Sequence, residues 1–464
     1  MNLNQYTHVY LVGVGGIGMS GLARFFLNKK HKVYGYDAVK SVLCQELEKE
    51  GVNIHYDDDI DSIPIELQLL KKNKLLVIYT PAISLNQNII KYFTNKEFII
   101  YKRSKILGFI SDKYFTIAVA GTHGKTTTTS ILTFLLKNSG KKVISFIGGI
   151  SKNYNSNLVM DKNANLFIVE ADEYDKSFLE LSPDIAIITS IDSDHMEIYK
   201  NKKNLYKSYL DFAKRVKEDG ILLIESSINL NFSKPKRGFI KKYSVNEISD
   251  YYANNINVCS GKVFANIFMK SFKENYDCVG KRAEFTLPGE HNVSNMMAAV
   301  SVALILKVKK NNILNSLKNF KGIRRRFEFV VKKNNLVFID DYAHHPSEIS
   351  STIKTVRLLF PDRNLTVIFQ PHLYSRTKDF AIDFAQSLSM ADRLILLDIY
   401  PAREKPIMGV NSKMILKLCT NFNKQVCEKE NLLSLINKID VDILLTMGAG
   451  DISDLTEPLK HILN

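Results

Sequence analysis

Residues 120–129 have the types and the spacing needed to bind the phosphates of a nucleotide. They read Ala-Gly-Thr-His-Gly-Lys-Thr-Thr-Thr-Thr, after an apolar run at residues 115–119 and before an amphipathic run at residues 130–138. This order predicts a strand, a glycine loop and a helix, whose amides and N-terminal partial charge attract oxyanions. Lys125 can reach terminal phosphates, and the Thr126 hydroxyl can bind Mg²⁺. We therefore predict a nucleoside triphosphate site formed by Gly121, Thr122, His123, Gly124, Lys125, Thr126 and Thr127.

An acidic segment follows a second apolar run. Residues 170–175 read Glu-Ala-Asp-Glu-Tyr-Asp, directly after the strand predicted at residues 166–169. Carboxylates at the carboxyl end of a parallel strand beside the phosphate-binding strand can hold Mg²⁺, and four acids so close together repel one another without a cation. His195 follows a further predicted strand and is either a second metal ligand, which the nearby acids favour, or a core histidine. A solvated acidic loop is the alternative for the whole segment.

A second glycine-rich motif lies near the N-terminus. Gly13, Gly15 and Gly18 form G-x-G-x-x-G after a strand predicted at residues 8–12, and Asp37 follows 19 residues after Gly18. This pattern matches the dinucleotide-binding fingerprint, but three glycines and a helix N-terminus form a pyrophosphate site whatever the rest of the ligand is. UDP-sugars also carry a pyrophosphate, so the choice between NAD and a nucleotide sugar stays open here. The predicted pyrophosphate site comprises Gly13, Gly15, Gly16, Gly18 and Asp37.

Further polar motifs lie where predicted elements begin or end. Residues 288–292 read Pro-Gly-Glu-His-Asn and open a predicted helix on which Asn292 and Asn295 are one turn apart. Their amides suit hydrogen bonds to a base or a phosphate, although Asn292 is also a plausible helix cap. Three arginines at residues 324–326 lie at a predicted domain boundary, where one could bind triphosphate on domain closure; a solvated charge run is the alternative. Three polar segments, at residues 340–346, 369–377 and 398–404, follow strands of the last block, where open parallel sheets collect ligand-binding residues.

The composition restricts the class of protein. A chain of 464 residues predicts two to four domains, and 45% hydrophobic with 24% charged residues is typical of a soluble globular protein. No apolar run approaches the ~20 residues of a membrane span. Five scattered cysteines without C-x-x-C spacing favour a reducing cytoplasm and disfavour a structural zinc site. The net charge of +15 could indicate nucleic-acid binding, but the lysines are dispersed, so we predict no nucleic-acid or membrane partner.

Strands alternate with helical stretches in three successive blocks. This alternation predicts an α/β protein with parallel sheets throughout. The first block has predicted strands at residues 8–12, 32–36, 75–79 and 97–100. The second has them at residues 115–119, 166–169, 185–188 and 221–224, and the third at residues 336–339, 365–369, 394–397 and 441–445.

Together these motifs resemble the Mur ligase family along essentially the whole chain. The resemblance rests on segments that begin at Gly13, Gly121, Glu170, Asp194, Gly289, Arg325, Asp340 and Phe369. It implies a Rossmann-like UDP-substrate-binding domain at residues 1–107, a P-loop-type central ATP-binding domain at residues 108–321 and a Rossmann-like C-terminal amino-acid-binding domain at residues 322–464. Two positions depart from the family's pattern: Arg324 replaces a common glycine, and Leu373 replaces an arginine that commonly follows Pro-His.

The resemblance also assigns roles to individual side chains. Mg²⁺ would be held by Thr126, Glu170 and His195. The nucleotide would also be contacted by Asn292, Asn295 and Arg326. The catalytic set would comprise Lys125, Glu170, His195, Arg326, Asp341, His344 and Arg376.

The implied activity is ATP-dependent amide formation in the synthesis of peptidoglycan precursors. The lactyl carboxylate of UDP-N-acetylmuramate would be joined to the amine of L-alanine through an acyl phosphate, by a cytoplasmic monomer or weak homodimer. A family member that adds a tripeptide shares most of these motifs and is a near alternative. A dinucleotide-dependent oxidoreductase would explain the first glycine motif but leaves the second unused. A nucleic-acid-binding NTPase is the third alternative.

Overall fold

The computed structural model describes residues 2–192, 196–259, 261–271, 274–402 and 404–463. Within these ranges the strands form three sheets, of five, ten and six strands, with helices between them. The chain divides into two compact units. The first comprises Met1–Asn254, Ile267–Gly280 and Ser294–Leu317, and the second comprises Asn255–Asn266, Lys281–Val293 and Lys318–Asn464. No helix in the described ranges is long and apolar enough to cross a membrane.

The first sheet is parallel and has the strand order β3-β2-β1-β4-β5. Its strands are β1 His8–Val12, β2 Lys32–Tyr36, β3 Asn53–His55, β4 Leu75–Tyr79 and β5 Ile100–Lys102. Its helices are α1 Ile17–Asn28, α2 Val42–Glu50, α3 Ile65–Gln68, α4 Asn88–Asn95 and α5 Arg103–Ser111. The order reverses at β1, so the loop after β1 opens at the switch point where such sheets bind ligands. The strand predicted at residues 97–100 is displaced, because Glu97 adopts a φ of 59° and turns the chain.

The second sheet has the order β15-β14-β13-β12-β11-β10-β6-β9-β7-β8. Its strands are β6 Phe115–Ala120, β7 Val143–Ser151, β8 Ser156–Met160, β9 Leu166–Glu170, β10 Ile185–Ile188, β11 Ile221–Glu225, β12 Phe239–Val245, β13 Tyr251–Cys259, β14 Lys262–Lys270 and β15 Tyr276–Phe285. The helices of this region are α6 Lys125–Asn138, α7 Met196–Tyr199, α8 Lys202–Ala213, α9 Glu290–Ile305 and α10 Lys310–Asn319. Strand β6 lies between β10 and β9, so the loops that follow these three strands share one edge.

The third sheet has the order β16-β17-β21-β18-β19-β20. Its strands are β16 Glu328–Lys332, β17 Val337–Asp341, β18 Leu365–Phe369, β19 Arg393–Leu396, β20 Asn423–Val426 and β21 Ile443–Met447. Its helices are α11 Pro346–Leu359, α12 Tyr374–Asp379, α13 Ala381–Leu388, α14 Ser412–Leu418, α15 Leu432–Ile436 and α16 Thr456–Leu463. Alternate residues of β17 enter different apolar clusters, Val337 and Ile339 on one face and Phe338 on the other. The sheet is therefore covered on both faces, as its nearly continuous apolar strands require.

Among the strand pairs whose direction the structure describes, the prediction of parallel sheets throughout is wrong at two. Strands β7 and β8 are antiparallel, and so are β16 and β17. Each pair is joined by a short connection, which permits a hairpin but not a crossover. In the first hairpin Asn155 adopts a φ of 51°, and its amide donates to the Ser151 carbonyl at 2.7 Å.

Candidate active site

The loop after β6 has a backbone that only glycine can adopt at two positions. Gly121 has a φ of 135° and Gly124 a φ of 82°. A Cβ atom on Gly121 would lie 2.0 Å from the Thr189 hydroxyl oxygen, and one on Gly124 would lie 2.1 Å from Oδ1 of Asn295. The loop is therefore packed between the end of β10 and helix α9, and side chains at either glycine would push it out of place.

The segment after β10 holds the same loop by hydrogen bonds. The amide of Thr122 donates to the Ser190 carbonyl at 3.0 Å, and the amide of His123 donates to the Ser190 hydroxyl at 2.9 Å. The Asp192 amide donates to the Thr122 hydroxyl at 2.9 Å. Because these two loop amides are engaged within the protein, the first turn of α6, beginning at Lys125, supplies the amides that point outward.

Lys125 bends back over the loop. Its ammonium donates to the Gly121 carbonyl at 2.7 Å and to the Glu173 carboxylate at 2.8 Å. Burial alone would lower the pKa of Lys125, but the negative charges of Glu173, Asp172 and Glu170 outweigh it and raise this pKa. The lysine therefore stays charged. Glu173 is almost fully buried, and its own carbonyl accepts a hydrogen bond from the Tyr199 hydroxyl at 2.6 Å.

A hydroxyl and a carboxylate meet beside this lysine. The Thr126 hydroxyl donates to Oε2 of Glu170 at 3.1 Å, and the amide of Gly148 donates to the other oxygen of the same carboxylate. Such a pair of oxygen donors suits Mg²⁺, which binds one or two protein groups and otherwise keeps water or phosphate. Within the described ranges no group of three or more His, Cys, Asp or Glu side chains has the geometry of a metal site. The predicted ligand His195 lies outside the described residues.

The two predicted asparagines have different surroundings. Asn295 Oδ1 accepts a hydrogen bond from Thr128 of helix α6 at 3.3 Å, so its amide lies beside the phosphate-binding loop. Asn292 is in the second compact unit, and its amide donates to the Pro288 carbonyl at 2.7 Å. This bond closes the turn before α9, but Asn292 is the third residue of that helix and not its N-cap.

The N-terminal glycine loop is shaped by strand β2 and by the residue that follows it. Gly13 has a φ of 84°, and its amide donates to the Tyr36 carbonyl at 2.7 Å. The Asp37 carboxylate accepts hydrogen bonds from the amides of Gly15 at 2.8 Å and Val39 at 3.1 Å. Asp37 thus holds the loop itself, and Gly16 forms the N-cap of α1 without a side-chain bond.

Arg103 lies at this glycine loop and is absent from the predicted site residues. A Cβ atom on Gly18 would lie 2.4 Å from Nη1 of Arg103. The guanidinium is also 3.9 Å from the Asp172 carboxylate. A small cavity is lined by Arg103, Glu170 and Asp172, among other residues. Arg103 directly follows strand β5, so the strand-end rule that selected the other candidate residues could also have found it.

In the second compact unit, Asp341 ends strand β17 with its carboxylate buried. It accepts hydrogen bonds from the amides of Phe327 at 2.8 Å and Ala343 at 2.7 Å. Burial raises the pKa of Asp341 to about 6, against the opposing charge of Arg326. The Arg326 guanidinium lies 4.9 Å from the centre of the Tyr342 ring.

Two further predicted residues of this unit meet around His372. The His344 ring centre is 6.1 Å from that of His372, and Nη1 of Arg376 is 3.4 Å from Nδ1 of His372. His372 stacks on Tyr400 with ring centres 5.7 Å apart. The strand ends thus gather a cationic and aromatic surface that includes two residues, His372 and Tyr400, absent from the predicted set.

The two positions that depart from the family's pattern, Leu373 and Arg324, differ in their exposure to solvent. Leu373 is buried with a φ of 71°, and its amide donates to the Tyr400 carbonyl at 2.9 Å. Arg324 is exposed.

Known proteins match this chain over its whole length. Three family models match in succession: "Mur ligase family, catalytic domain" at residues 8–115, "Mur ligase middle domain" at residues 119–303 and "Mur ligase, glutamate ligase domain" at residues 325–450. A UDP-N-acetylmuramate–L-alanine ligase of Christiangramia forsetii is 43% identical over 462 residues, which cover 100% of this chain and 99% of the relative. The chain belongs to the Mur ligase family.

Other relatives of this Mur ligase agree. A UDP-N-acetylmuramate–L-alanine ligase of Parabacteroides distasonis is 44% identical over 470 residues, covering 100% of this chain and 98% of the relative. The crystal structure of a UDP-N-acetylmuramate–alanine ligase from Thermotoga maritima aligns with a TM-score of 0.80 and 26% identity, covering 98% of each chain. The predicted family and the α/β fold with three domains are therefore confirmed. Mur ligases are ATP-dependent.

Proposed function

We propose that this Mur ligase joins L-alanine to the lactyl carboxylate of UDP-N-acetylmuramate, with conversion of ATP to ADP and phosphate. The observation that carries the proposal is the cluster at the end of β6 and β9. It combines the part-buried Lys125 ammonium with the Thr126–Glu170 pair, in a chain at least 43% identical to two ligases of this name. The product would be a precursor of peptidoglycan.

The chemistry requires activation of an unreactive acid. A carboxylate oxygen attacks the γ-phosphorus of ATP, the bond to the β–γ bridging oxygen breaks, and ADP leaves. The neutral amine of alanine then attacks the acyl carbon to give a tetrahedral intermediate. This intermediate loses one proton from its nitrogen to solvent and collapses to the amide with release of phosphate. The substrate itself supplies the nucleophile in both steps, so the protein has to position the groups and neutralise charge.

Lys125 would neutralise charge on the transferred phosphoryl group. Its ammonium is already charged and paired, and it would exchange the Glu173 carboxylate for a phosphate oxygen. Thr126 and Glu170, together with His195, would hold Mg²⁺. When bound, the metal supplies positive charge to the β- and γ-phosphates. Asn295, beside the loop, and Asn292 would contact the nucleotide.

The first glycine loop would bind the pyrophosphate of the UDP substrate. The site comprises the N-terminus of α1 with Gly13, Gly15, Gly16 and Gly18, and Arg103 adds a cation at Gly18. Asp37 would support this loop through the Gly15 amide. We place the end of this domain near residue 107 and the end of the central domain near residue 321.

The C-terminal domain would bind the amino acid and complete the closed site. The residues proposed for this role are Arg326, Asp341, His344 and Arg376. We place the reaction in the cytoplasm, in keeping with five free cysteine thiols, and propose a monomer or weak homodimer without nucleic-acid or membrane partners.

The test is ADP release from purified protein with ATP, Mg²⁺, UDP-N-acetylmuramate and a panel of acceptors: L-alanine, glycine, L-serine and the stem tripeptide. We expect turnover only with both the UDP substrate and an amino acid, and fastest with L-alanine. Preference for the tripeptide would reassign the chain to the tripeptide-adding branch. Binding of NAD(H), or ATP hydrolysis stimulated by polynucleotide, would instead favour the other two alternatives.

A further inference from the structure

One fully buried asparagine links the first two domains of this Mur ligase. Asn157 lies on β8 of the central domain and is 1% exposed. Its Nδ2 donates to the Ile17 carbonyl at 2.6 Å and to the Ser20 hydroxyl at 2.9 Å, and its Oδ1 accepts from Nη1 of Arg24 at 2.5 Å. All three partners lie on α1, the helix that begins at the proposed pyrophosphate site.

Around this asparagine, the face of α1 that packs on β7 makes apolar contacts. Gly21 lies against Phe146 of β7, where a Cβ atom would come within 3.1 Å of the ring. Phe25 packs on the same ring with centres 5.8 Å apart. Apolar contact of this kind tolerates small slides, whereas a buried hydrogen-bond network with every member satisfied fixes one register.

The network is anchored at both ends. On the α1 side, Arg24 is buried and also binds the Glu50 carboxylate at 2.6 and 2.9 Å. On the other side, β8 pairs with β7, whose Gly148 amide holds the proposed metal-binding carboxylate of Glu170. A continuous set of contacts therefore runs from the start of α1 to the Thr126–Glu170 pair.

We propose that Asn157 is a positioning residue that sets the distance between the bound UDP substrate and the triphosphate. This inference rests on the proposed ligase activity, in which the lactyl carboxylate must approach the γ-phosphorus in line. Reacting atoms have to come within ~3–3.5 Å, and a displacement of ~1 Å costs ~10²-fold in rate. Asn157 touches neither substrate, so its loss should lower kcat and leave substrate affinity largely intact.

The test compares Asn157→Asp with Asn421→Asp. The first variant keeps the size and the Oδ1 acceptor but loses both donors to α1. The control asparagine is also buried, and its Nδ2 donates to the carbonyls of Leu388 and Ala391 at 3.2 and 2.7 Å, inside the C-terminal domain. Each variant is assayed for kcat, for both KM values, for amide formed per ADP released, and for thermal unfolding.

We expect kcat of Asn157→Asp to fall at least ~10-fold, with KM for ATP and UDP substrate within about threefold and fewer amides formed per ADP. Asn421→Asp should lower the unfolding temperature without a selective loss of kcat. Ser20→Ala, which removes one hydrogen-bond partner of Asn157, should reduce kcat by a smaller factor than Asn157→Asp. The double variant should reduce kcat by less than the product of the two single-variant factors.

Two outcomes overturn different claims. Equal kinetics of Asn157→Asp and Asn421→Asp, or additive effects of the Ser20 and Asn157 changes, would reduce Asn157 to a stabilising contact. Absence of alanine ligation by the wild-type protein would contradict the proposed function itself. If Asn157→Asp unfolds, Ser20→Ala is measured in its place with the same readouts, because it leaves the Asn157 bonds to Ile17 and Arg24 intact. A loss of kcat in Ser20→Ala with unchanged KM values supports the proposal. An unchanged kcat refutes it.

Discussion

The two glycine loops of the first compact unit start from the same plan and differ in their charged neighbours. Each follows a central parallel strand and opens a helix, α1 in one case and α6 in the other. The loop after β6 carries its own lysine, and Glu173 and Glu170 hold that lysine and the adjacent threonine. The loop after β1 contains no charged residue, and the cation beside Gly18, Arg103, comes from the start of α5.

This difference separates holding a phosphate from transferring one. A glycine loop and a helix N-terminus suffice to bind a diphosphate. Transfer requires charge that is fixed before the substrate arrives and a metal-binding oxygen beside it. We therefore expect changes at the second loop to affect turnover and changes at the first loop to affect affinity for the UDP substrate.

The largest effect is expected for Lys125→Met. Loss of the ammonium should lower kcat/KM by ~10³-fold, because it removes a fixed positive charge from the transferred phosphoryl group, while calorimetric affinity for the UDP substrate stays unchanged. Lys137→Met, on the same helix and paired with Asp161, serves as the control and should retain activity. Substantial turnover by Lys125→Met would remove the proposed distinction between the loops.

Glu170→Gln should rank second. It keeps the shape of the side chain but removes the charge that would face Mg²⁺, so the Mg²⁺ concentration for half-maximal rate should rise at least ~10-fold. The titration should be run beside Glu180→Gln, whose carboxylate is exposed and paired with Lys105. An unchanged Mg²⁺ dependence would assign the metal to other ligands.

Arg103→Met tests the first loop. Loss of one charge-assisted contact to pyrophosphate should raise KM for the UDP substrate by roughly 10- to 100-fold, with kcat and KM for ATP little changed. Lys102→Met provides the neighbouring control, because Lys102 is partly exposed and pairs with Asp175. A fall in kcat without a change in KM would place Arg103 at the reaction centre and weaken the contrast.

The smallest effect is expected for Asp37→Asn. The amide oxygen can still accept from the Gly15 amide, so KM for the UDP substrate should rise by about fivefold or less. A direct ligand contact of the kind made by the acid in dinucleotide-binding proteins would give a much larger increase. Steady-state kinetics with the UDP substrate varied distinguish the two.

The sequence predicted the features that depend on local spacing. Gly121, Gly124 and Lys125 define a strand, loop and helix by themselves, and the structure has all three. It did not predict that Ser190 accepts hydrogen bonds from two loop amides or that Arg103 lies beside Gly18. These contacts join segments that are brought together only by the sheet order. The antiparallel β7–β8 hairpin was missed because its connection, residues 152–155, contains two asparagines but neither glycine nor proline to indicate a turn. The predicted roles of Arg326, Asp341, His344 and Arg376 remain predictions. Asp341 ends β17, His344 lies in the loop that follows it, and Arg376 lies on α12, after β18.

The largely buried Lys125–Glu173 ion pair has a consequence for when the energetic work of catalysis is done. Removing an ammonium from water is costly, and here the folding of the chain meets that cost before any nucleotide arrives. An incoming triphosphate then only has to trade one counter-ion for another at a lysine that is already largely removed from water and already charged. The free energy of nucleotide binding is thereby left for alignment, and the released Glu173 becomes a buried anion that favours prompt return of the lysine once ADP departs.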